Sequence, residues 1–365
     1  MTYLGNLGAG STFASDVTSA TRLATSAPFA RYLQEEIFLR SAFIRSGVMR
    51  RDPRLQTTVG TRIEVPFFDP INATEEKIES NNTWGTSGAG HFTAQKVTAS
   101  TQYATITHRG FMFAADDLSK LASGEDPLRH FAAQLADDLA KKKTAKLVSQ
   151  LEGLLGAAGP LNATNNLTVA VTTGADADNY LTAANIIQAR YLLGERQSAV
   201  TTIAMHSLMA AYLEQVGMLT FSTDSLVAGG NITWGGGGVG VGPRQGYMPM
   251  AGLNVIVDDQ MPILGTSGQL QQFVCYLMGP GTVYEGDQMP LRIEADRNIA
   301  SLQDAVAVHY HHVQHIPGTT WAAVADNPTN TVLATAASWG LAYSEPRLIP
   351  AVRLVANSPF GGTIP

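Results

Sequence analysis

Charge is scarce in this chain. Asp, Glu, Lys and Arg make up 15% of its 365 residues, against about 25% in an ordinary soluble protein. Interfaces between proteins are depleted of charge at their cores. A chain this poor in charge therefore fits one that buries much of its surface against further copies of itself. The net charge is −6, which argues against a dedicated nucleic-acid binder with a basic stripe. Cysteine is nearly absent. Cys275 stands alone, so no intrachain disulfide can form, which fits a reducing cytoplasm. No apolar run approaches the ~18 residues that a membrane-spanning helix needs. The opening "MTYLGNLGAGSTFASDV" lacks the basic start and apolar stretch of a secretory signal. Catalytic signatures are missing as well: the chain has no Walker A loop, no GxSxG elbow and no HExxH helix.

What is present is apolar patterning. Hydrophobic residues reach 45%, ample for a core, and the length fits two or three structural units at roughly 100–200 residues each. "FARYLQEEIFLR", residues 29–40, has helical spacing. Residues 60–110 form a long two-stranded excursion, with "TRIEVPFF" going out and "QKVTASTQYATITHRGFMF" returning. Pro66 marks the outgoing arm as an edge or irregular strand. The Asn- and Gly-rich tip between them is too long for a structureless loop inside a compact domain, so it is expected to find its contacts on another subunit. Residues 123–156 carry the strongest helix signal, with Asp126 as N-cap, Pro127 at the first position and Leu128, Phe131, Leu135, Leu139, Leu147, Leu151 and Leu154 at helical spacing. From 181 onward helices alternate with the short apolar runs "AVTTIAM", "LNVIVDD" and "FVCYLMG", an α/β pattern. "TNTVLATAASWGLAY" is expected to be a late helix, and "RLIPAVRLV" a late strand.

The chemically suggestive stretch is "HYHHVQHIPGTTW", residues 309–321, which holds four of the eight histidines. It alternates as a strand. Ala305, Ala307, His309, His311, Val313 and His315 fall on one face, Val306, Val308, Tyr310 and His312 on the other, and "IPGTTW" is the turn that ends it. Two imidazoles at i and i+2 can share a metal, but no Cys or carboxylate partner stands nearby. Packed or hydrogen-bonded imidazoles are the plainer reading. "GGGGVGVG" contains GxGxxG at Gly235, Gly237 and Gly240, yet Pro243 and Gly246 follow where a dinucleotide site needs a helix. Cys275 lies in an apolar strand and reads as inert. Lys141, Lys142, Lys143 and Lys146 read as a solvated helix face, as do Asp137 and Asp138. Asp116-Asp117 and Asp258-Asp259 fall at turns. No catalytic, cofactor-binding or metal site emerges.

The order of parts carries more than any motif. An arm leads to a long hairpin, then to "DDLSKLASGEDPLRHFAAQLADDLAKKKTAKLVSQLEGLLG". An α/β unit with "GLNVIVDDQMP" and "YLMGPGTVYEGD" follows. "IEADRNIASLQDAVAVHYHHVQHIPGTTW" and "NPTNTVLATAASWGLAYSEPRLIP" close the chain. This collinear set, over residues 25–357, resembles the major capsid proteins of tailed bacteriophages. The resemblance implies an α+β fold of the Hong Kong 97-like type. Its parts would be an N-terminal arm (1–57), an extended hairpin loop (58–110), a peripheral domain with a long spine helix (111–175 and 285–325) and an axial α/β domain (176–284 and 326–365).

It also implies a function without catalysis or cofactor. The chain would be a structural subunit forming hexamers and pentamers of an icosahedral virion shell around packaged double-stranded DNA, assembled in the bacterial host cytoplasm. A separate scaffolding protein and a portal would be its partners, with or without a cement protein, and with no membrane involved. Some family members cross-link Lys to Asn between subunits; nothing marks Lys77 or Lys96 for that chemistry. An encapsulin, a cellular shell of the same architecture, is the related alternative. The Gly-rich loops and the late helix favour the phage. A metal-dependent enzyme using the His309–His315 cluster is the alternative from another class. If those imidazoles meet a neighbouring subunit, protonation near pH 6 would alter shell stability.

Overall fold

A computed structural model describes residues 41–56, 60–69, 75, 96–116, 127–175, 178–222, 245–249, 251–298 and 302–364. The helix expected over 29–40, most of the hairpin tip with Lys77, the Asp126 cap, Asp117 and the glycines at 235, 237 and 240 lie outside those residues. In chain order the elements begin with β1 (Met49–Arg51), β2 (Arg62–Phe68), β3 (Ala99–Asp116) and the long helix α1 (Pro127–Leu155). Next come β4 (Asn166–Thr168), α2 (Ala183–Tyr191), β5 (Thr202–Met205), α3 (Ser207–Gln215), β6 (Thr220–Ser222) and β7 (Gln245–Met248). β8 (Leu253–Val257), β9 (Ile263–Leu264), β10 (Gln272–Met278), β11 (Val283–Asn298) and β12 (Gln303–His315) follow. β13 (Thr319–Trp321), β14 (Trp339–Leu341) and β15 (Ala351–Asn357) complete the set.

The long strands build a five-stranded sheet in the order β1-β11-β12-β3-β2. β1 joins β11 in parallel over three residues, and the other pairs are antiparallel. β2 is an edge strand, which is what lets Pro66 sit in it without a lost ladder bond. β11 slips register against β12 between Asp287 and Arg292. Pro290 stands inside that slip, where its missing N–H and fixed φ suit a bulge. The second sheet has eight strands, β4-β15-β10-β5-β8-β7-β6 with β9 also on β10. β10 and β15 are buried along both faces, which is why their sequences read as unbroken apolar runs rather than alternations.

α1 ties the two sheets together. Its 29 residues span about 43 Å at 1.5 Å each. Leu135 and Leu139 pack on Leu291, Val306, Val308 and Tyr310 of the five-stranded sheet. Leu147, Leu151 and Leu154 share a core with Val274, Tyr276, Met278 and Val355 of the other. The remaining faces of β10 and β15, through Phe273, Cys275, Leu277, Val352 and Leu354, bury α2 and α3. One helix with an apolar seam from Leu135 to Leu155 therefore fixes the spacing of both sheets.

The late helix expected over 329–343 is not one helix. A single turn at Asn330–Leu333 and a 3₁₀ turn at Ala336–Ser338 lead into β14. The local Ala and Leu propensity loses to two tryptophans. Trp339 pairs with Trp321 across β13 and β14, with ring centroids 5.0 Å apart at 82°. The Trp339 indole N–H donates to the Leu333 carbonyl at 2.7 Å. "IPGTTW" is accordingly a turn at Pro317-Gly318 followed by a strand. This segment also docks on α1 through Gly153, which lies within the helix rather than ending it. A Cβ there would stand 2.3 Å from the Leu333 carbonyl oxygen and 2.6 Å from Trp339 Nε1. Gly153→Ala should therefore destabilise the subunit, because overpacking of about 1–3 kcal/mol exceeds the ~1 kcal/mol of helix propensity that Ala gains. A urea midpoint that rises instead would show that residues 330–339 do not need this close approach.

Candidate functional site

The crossing of α1 over β11, β12 and β3 gathers a layer of buried charge that includes Lys146 and Glu285. β12 alternates as its sequence requires: Val306, Val308, Tyr310 and His312 are buried against the helix side, while Ala305, Ala307, His309 and His311 are half-exposed on the reverse. The expected histidine face holds through His311; from His312 onward every position is buried. The four imidazoles thus divide between two faces and do not converge. His311 stacks on His108 with centroids 3.9 Å apart, and its Nδ1 lies 3.1 Å from Gln288 Oε1. Burial lowers the His311 pKa, and the neighbouring His108 and His309 lower it further. Among the described residues, no group of three or more His, Cys, Asp or Glu is placed to hold a metal ion.

His312 belongs to a charged layer under α1. Glu285, 2% exposed, receives Lys143 Nζ at 3.6 Å on Oε2 and Arg51 Nε at 3.9 Å on Oε1. Arg51 Nη2 donates to Asp287 Oδ2 at 3.0 Å. His312 Nδ1 lies 2.9 Å from Asp287 Oδ1; against an ionised carboxylate, Nδ1 carries the proton. That leaves His312 Nε2 facing Glu285 Oε2 at 3.7 Å, with no hydrogen bond made by either atom. Burial pushes the His312 pKa down to about 4. The Lys143 charge adds to this, while the Asp287 hydrogen bond works against it. For Asp287, burial disfavours ionisation, but the hydrogen bond from His312 and the charges of His312, Lys143 and Arg51 outweigh it and hold the carboxyl at about 2. His315, two strand positions further on than Val313, is buried beside Asp52 and Arg54, and burial pushes it too down to about 4.

The lysine run is not one solvated face. Lys141 and Lys142 are, each paired four residues back with Asp137 and Asp138. Lys143 turns inward to Glu285, and Lys146 is 3% exposed. Lys146 Nζ donates to the Thr107 hydroxyl, which donates on to the His312 carbonyl oxygen at 2.8 Å. Burial drives the Lys146 pKa well below its usual value, with Arg109 and Lys143 adding to the effect. No carboxylate among the described residues lies within ion-pair distance of Lys146, so its ammonium is buried without a direct counter-charge. Lys146→Met is expected to raise the urea midpoint of the subunit, since a well-packed apolar replacement of a buried charge is often stabilising by about 1–4 kcal/mol. A fall of that size would mean that the ammonium is needed.

A second joint lies at the far end of α1. Glu152 Oε1 accepts from Arg353 Nε at 3.3 Å and from the Tyr276 hydroxyl. It ties the helix to β15 and β10 of the eight-stranded sheet. Burial raises the Tyr276 pKa well above its usual value, with Glu152 adding to it. Neither Glu152 nor Arg353 emerges from motif reading. The available signal is a lone charge in an apolar run, as in "LVSQLEGLLG" and "AVRLVAN". Cys275 is buried, its thiol pushed up to about 12 by burial. Asp258 and Asp259 make turn and helix-start contacts, to Gln260 N at 2.9 Å and Ser207 N at 3.2 Å. Asp116 ends β3, paired with Gln303, rather than sitting in a turn. None of these groups sets a nucleophile beside a base. What the layer and the joint do is hold one helix to two sheets.

Comparison with known proteins agrees with a mechanical role. The family model described as phage capsid protein matches residues 98–326, from the return arm of the hairpin through β12 and β13. The major capsid protein of Bacillus phage SPP1 is 25% identical over 319 residues, covering 84% of this chain and 89% of that one. Among solved structures, the Cyanophage Pam1 capsid asymmetric unit has a TM-score of 0.51 at 10% identity, covering 88% of this chain and 93% of that chain. The capsid of Ralstonia phage GP4 has the same TM-score and identity, covering 88% and 92%; both likenesses concern the fold. With the family matched across the sheet, the long helix and the histidine strand, the chain belongs to the phage capsid protein family and is a structural subunit of a virion capsid.

Proposed function

We propose that copies of this subunit form hexamers and pentamers that close an icosahedral shell around packaged double-stranded DNA. The observation that carries this is α1, one helix whose buried seam fixes two sheets at a set spacing. A plate braced in that way keeps its shape while its edges meet neighbours. Closed rings need head-to-tail contacts between unlike surfaces. In this reading residues 1–57 are an arm, 58–110 a loop laid on a neighbour, 111–175 and 285–325 a peripheral domain, and 176–284 with 326–365 an axial domain. Assembly takes place in the bacterial host cytoplasm with a separate scaffolding protein and a portal. The net charge of −6 suits a container that does not grip its DNA, because phosphate binding scales with the number of cationic contacts.

The test is particle sizing and negative-stain microscopy of the full chain, alone and with its scaffold co-expressed. Closed shells with fivefold and sixfold clusters are expected. A chain that stays monomeric under every condition would overturn the proposal, and so would native particles filled with protein cargo rather than DNA.

A further inference from the structure

Beside the charged layer, a cavity of about 180 Å³ lies between β2 and the turn after β12. His315 forms part of its wall, 2% exposed, and neither ring nitrogen has a hydrogen-bond partner. An imidazole buried with both nitrogens unused is costly, and buried polar groups are nearly always satisfied. The other polar groups on the wall are mostly donors with capacity to spare. Arg54 gives Nε and Nη2 to Asp52, at 3.0 and 2.7 Å on Oδ2, and its Nη1 makes no bond among the described residues. Gln102 accepts from Gly318 N at 2.8 Å through Oε1, which leaves its amide N–H groups as the unused half. The hydroxyls of Tyr284 and Tyr343 make no hydrogen bond among the described residues. Asp52 is the one anionic group there, and Arg54 neutralises it.

We infer that this cavity binds a small oxyanion, a carboxylate or phosphate group, through His315, the free edge of Arg54, the Gln102 amide and the Tyr284 and Tyr343 hydroxyls. Its volume corresponds to about six waters at ~30 Å³ each, room for an acetate-sized ion and some of its hydration. Phe67, Pro317 and the other apolar residues of the wall limit the size of what enters. The oxyanion is either a dissolved ion or an acidic side chain of a second copy, and the two sources separate by experiment.

Urea denaturation of dissociated full-length subunits in acetate, in phosphate and in chloride at equal ionic strength reads the site. A ligand bound only by the folded state raises the midpoint with a saturating dependence on its concentration. The wild type should show that curve in acetate and phosphate. His315→Leu should weaken the apparent affinity at least tenfold, and Tyr343→Phe, which removes one hydroxyl and keeps the ring, several-fold. A linear rise shared equally by all three proteins is the general salt effect and overturns the inference, as does the absence of any rise. The same titration on assembled shells locates the source. Acetate that stabilises the shell as it does the subunit identifies a dissolved ion. Acetate that acts on the subunit alone identifies a carboxylate already supplied by a neighbour.

Discussion

Glu285→Gln is expected to lower the stability of the dissociated subunit by about 3 kcal/mol, the low end of what breaking a buried ion pair costs. The substitution keeps the shape and removes only charge. Three elements lose by it. Arg51 on β1, Lys143 on α1 and the His312 imidazole on β12 all face this carboxylate within 4 Å. In the wild type, Arg51 faces both Glu285 and Asp287 and Lys143 faces Glu285; afterwards the Glu285 charge is lost to both cations. A buried positive charge left without its counter-charge bears most of its desolvation. The penalty should therefore come from Lys143 more than from the lost contact itself. Adding Lys143→Met to Glu285→Gln removes the cation that has lost this counter-charge, and the double variant should recover at least half of the loss. A urea series on the four proteins measures the coupling. Additive effects in that cycle would mean that Lys143 and Glu285 do not act as a pair, and the layer would then be a set of separate contacts.

How much of this was legible in the sequence depends on how far apart the partners lie. The long helix was readable because its leucines and Pro127 are local signals, and the observed Pro127–Leu155 falls within the expected 123–156. The alternation of β12 was readable for the same reason. The buried strands β5, β8, β10 and β15 were readable as apolar runs bounded by turn residues. The misread elements share one cause. Lys143 and Lys146 sit in a run that looks solvated, but the groups that bury them, Glu285, Thr107 and Tyr310, come from strands far away in the chain. Residues 329–343 have helix-forming composition, yet Trp321, on the far side of a loop, holds Trp339 in a strand. Long-range pairing decides both cases, and no local window contains it. The order of the parts was more informative than the parts, since the family match runs through residues 98–326 rather than resting on a motif.

Acid should weaken this subunit from within, before any contact between subunits is considered. His312 and His315 titrate at about 4 in the folded chain, against about 6.5 when unfolded. A folded pKa below the unfolded one means that the unfolded chain binds more protons in between, so stability rises with pH across that window. The contribution of both imidazoles is complete above about pH 6.5 and is lost as the pH falls toward 4. Each depressed unit is worth about 1.4 kcal/mol, so the two together remove on the order of 5 kcal/mol or more by pH 4. Asp287, held at about 2, then adds a further loss as the pH falls from 3.8 toward 2. Lys146, also lowered, acts in the same direction, over a window that begins at its unfolded value of about 10.4. Because His312 and His315 are buried inside the subunit, this loss needs no neighbouring copy. His309 and His311, half-exposed on the reverse face, are the imidazoles left for contact with another subunit. Urea titrations of the dissociated subunit at intervals from pH 7 to pH 4 should show stability falling with a slope that approaches two protons per molecule near pH 5. His315→Leu should bring that slope to about one. A stability that stays level from pH 7 to pH 4 would mean that both rings titrate near 6.5 in the fold as they do unfolded, and one that rises as the pH falls from 7 would mean that both are already protonated in the fold. His312 Nε2 would then be a donor to Glu285 Oε2, and the layer would be held by one more ion pair than the neutral imidazole allows.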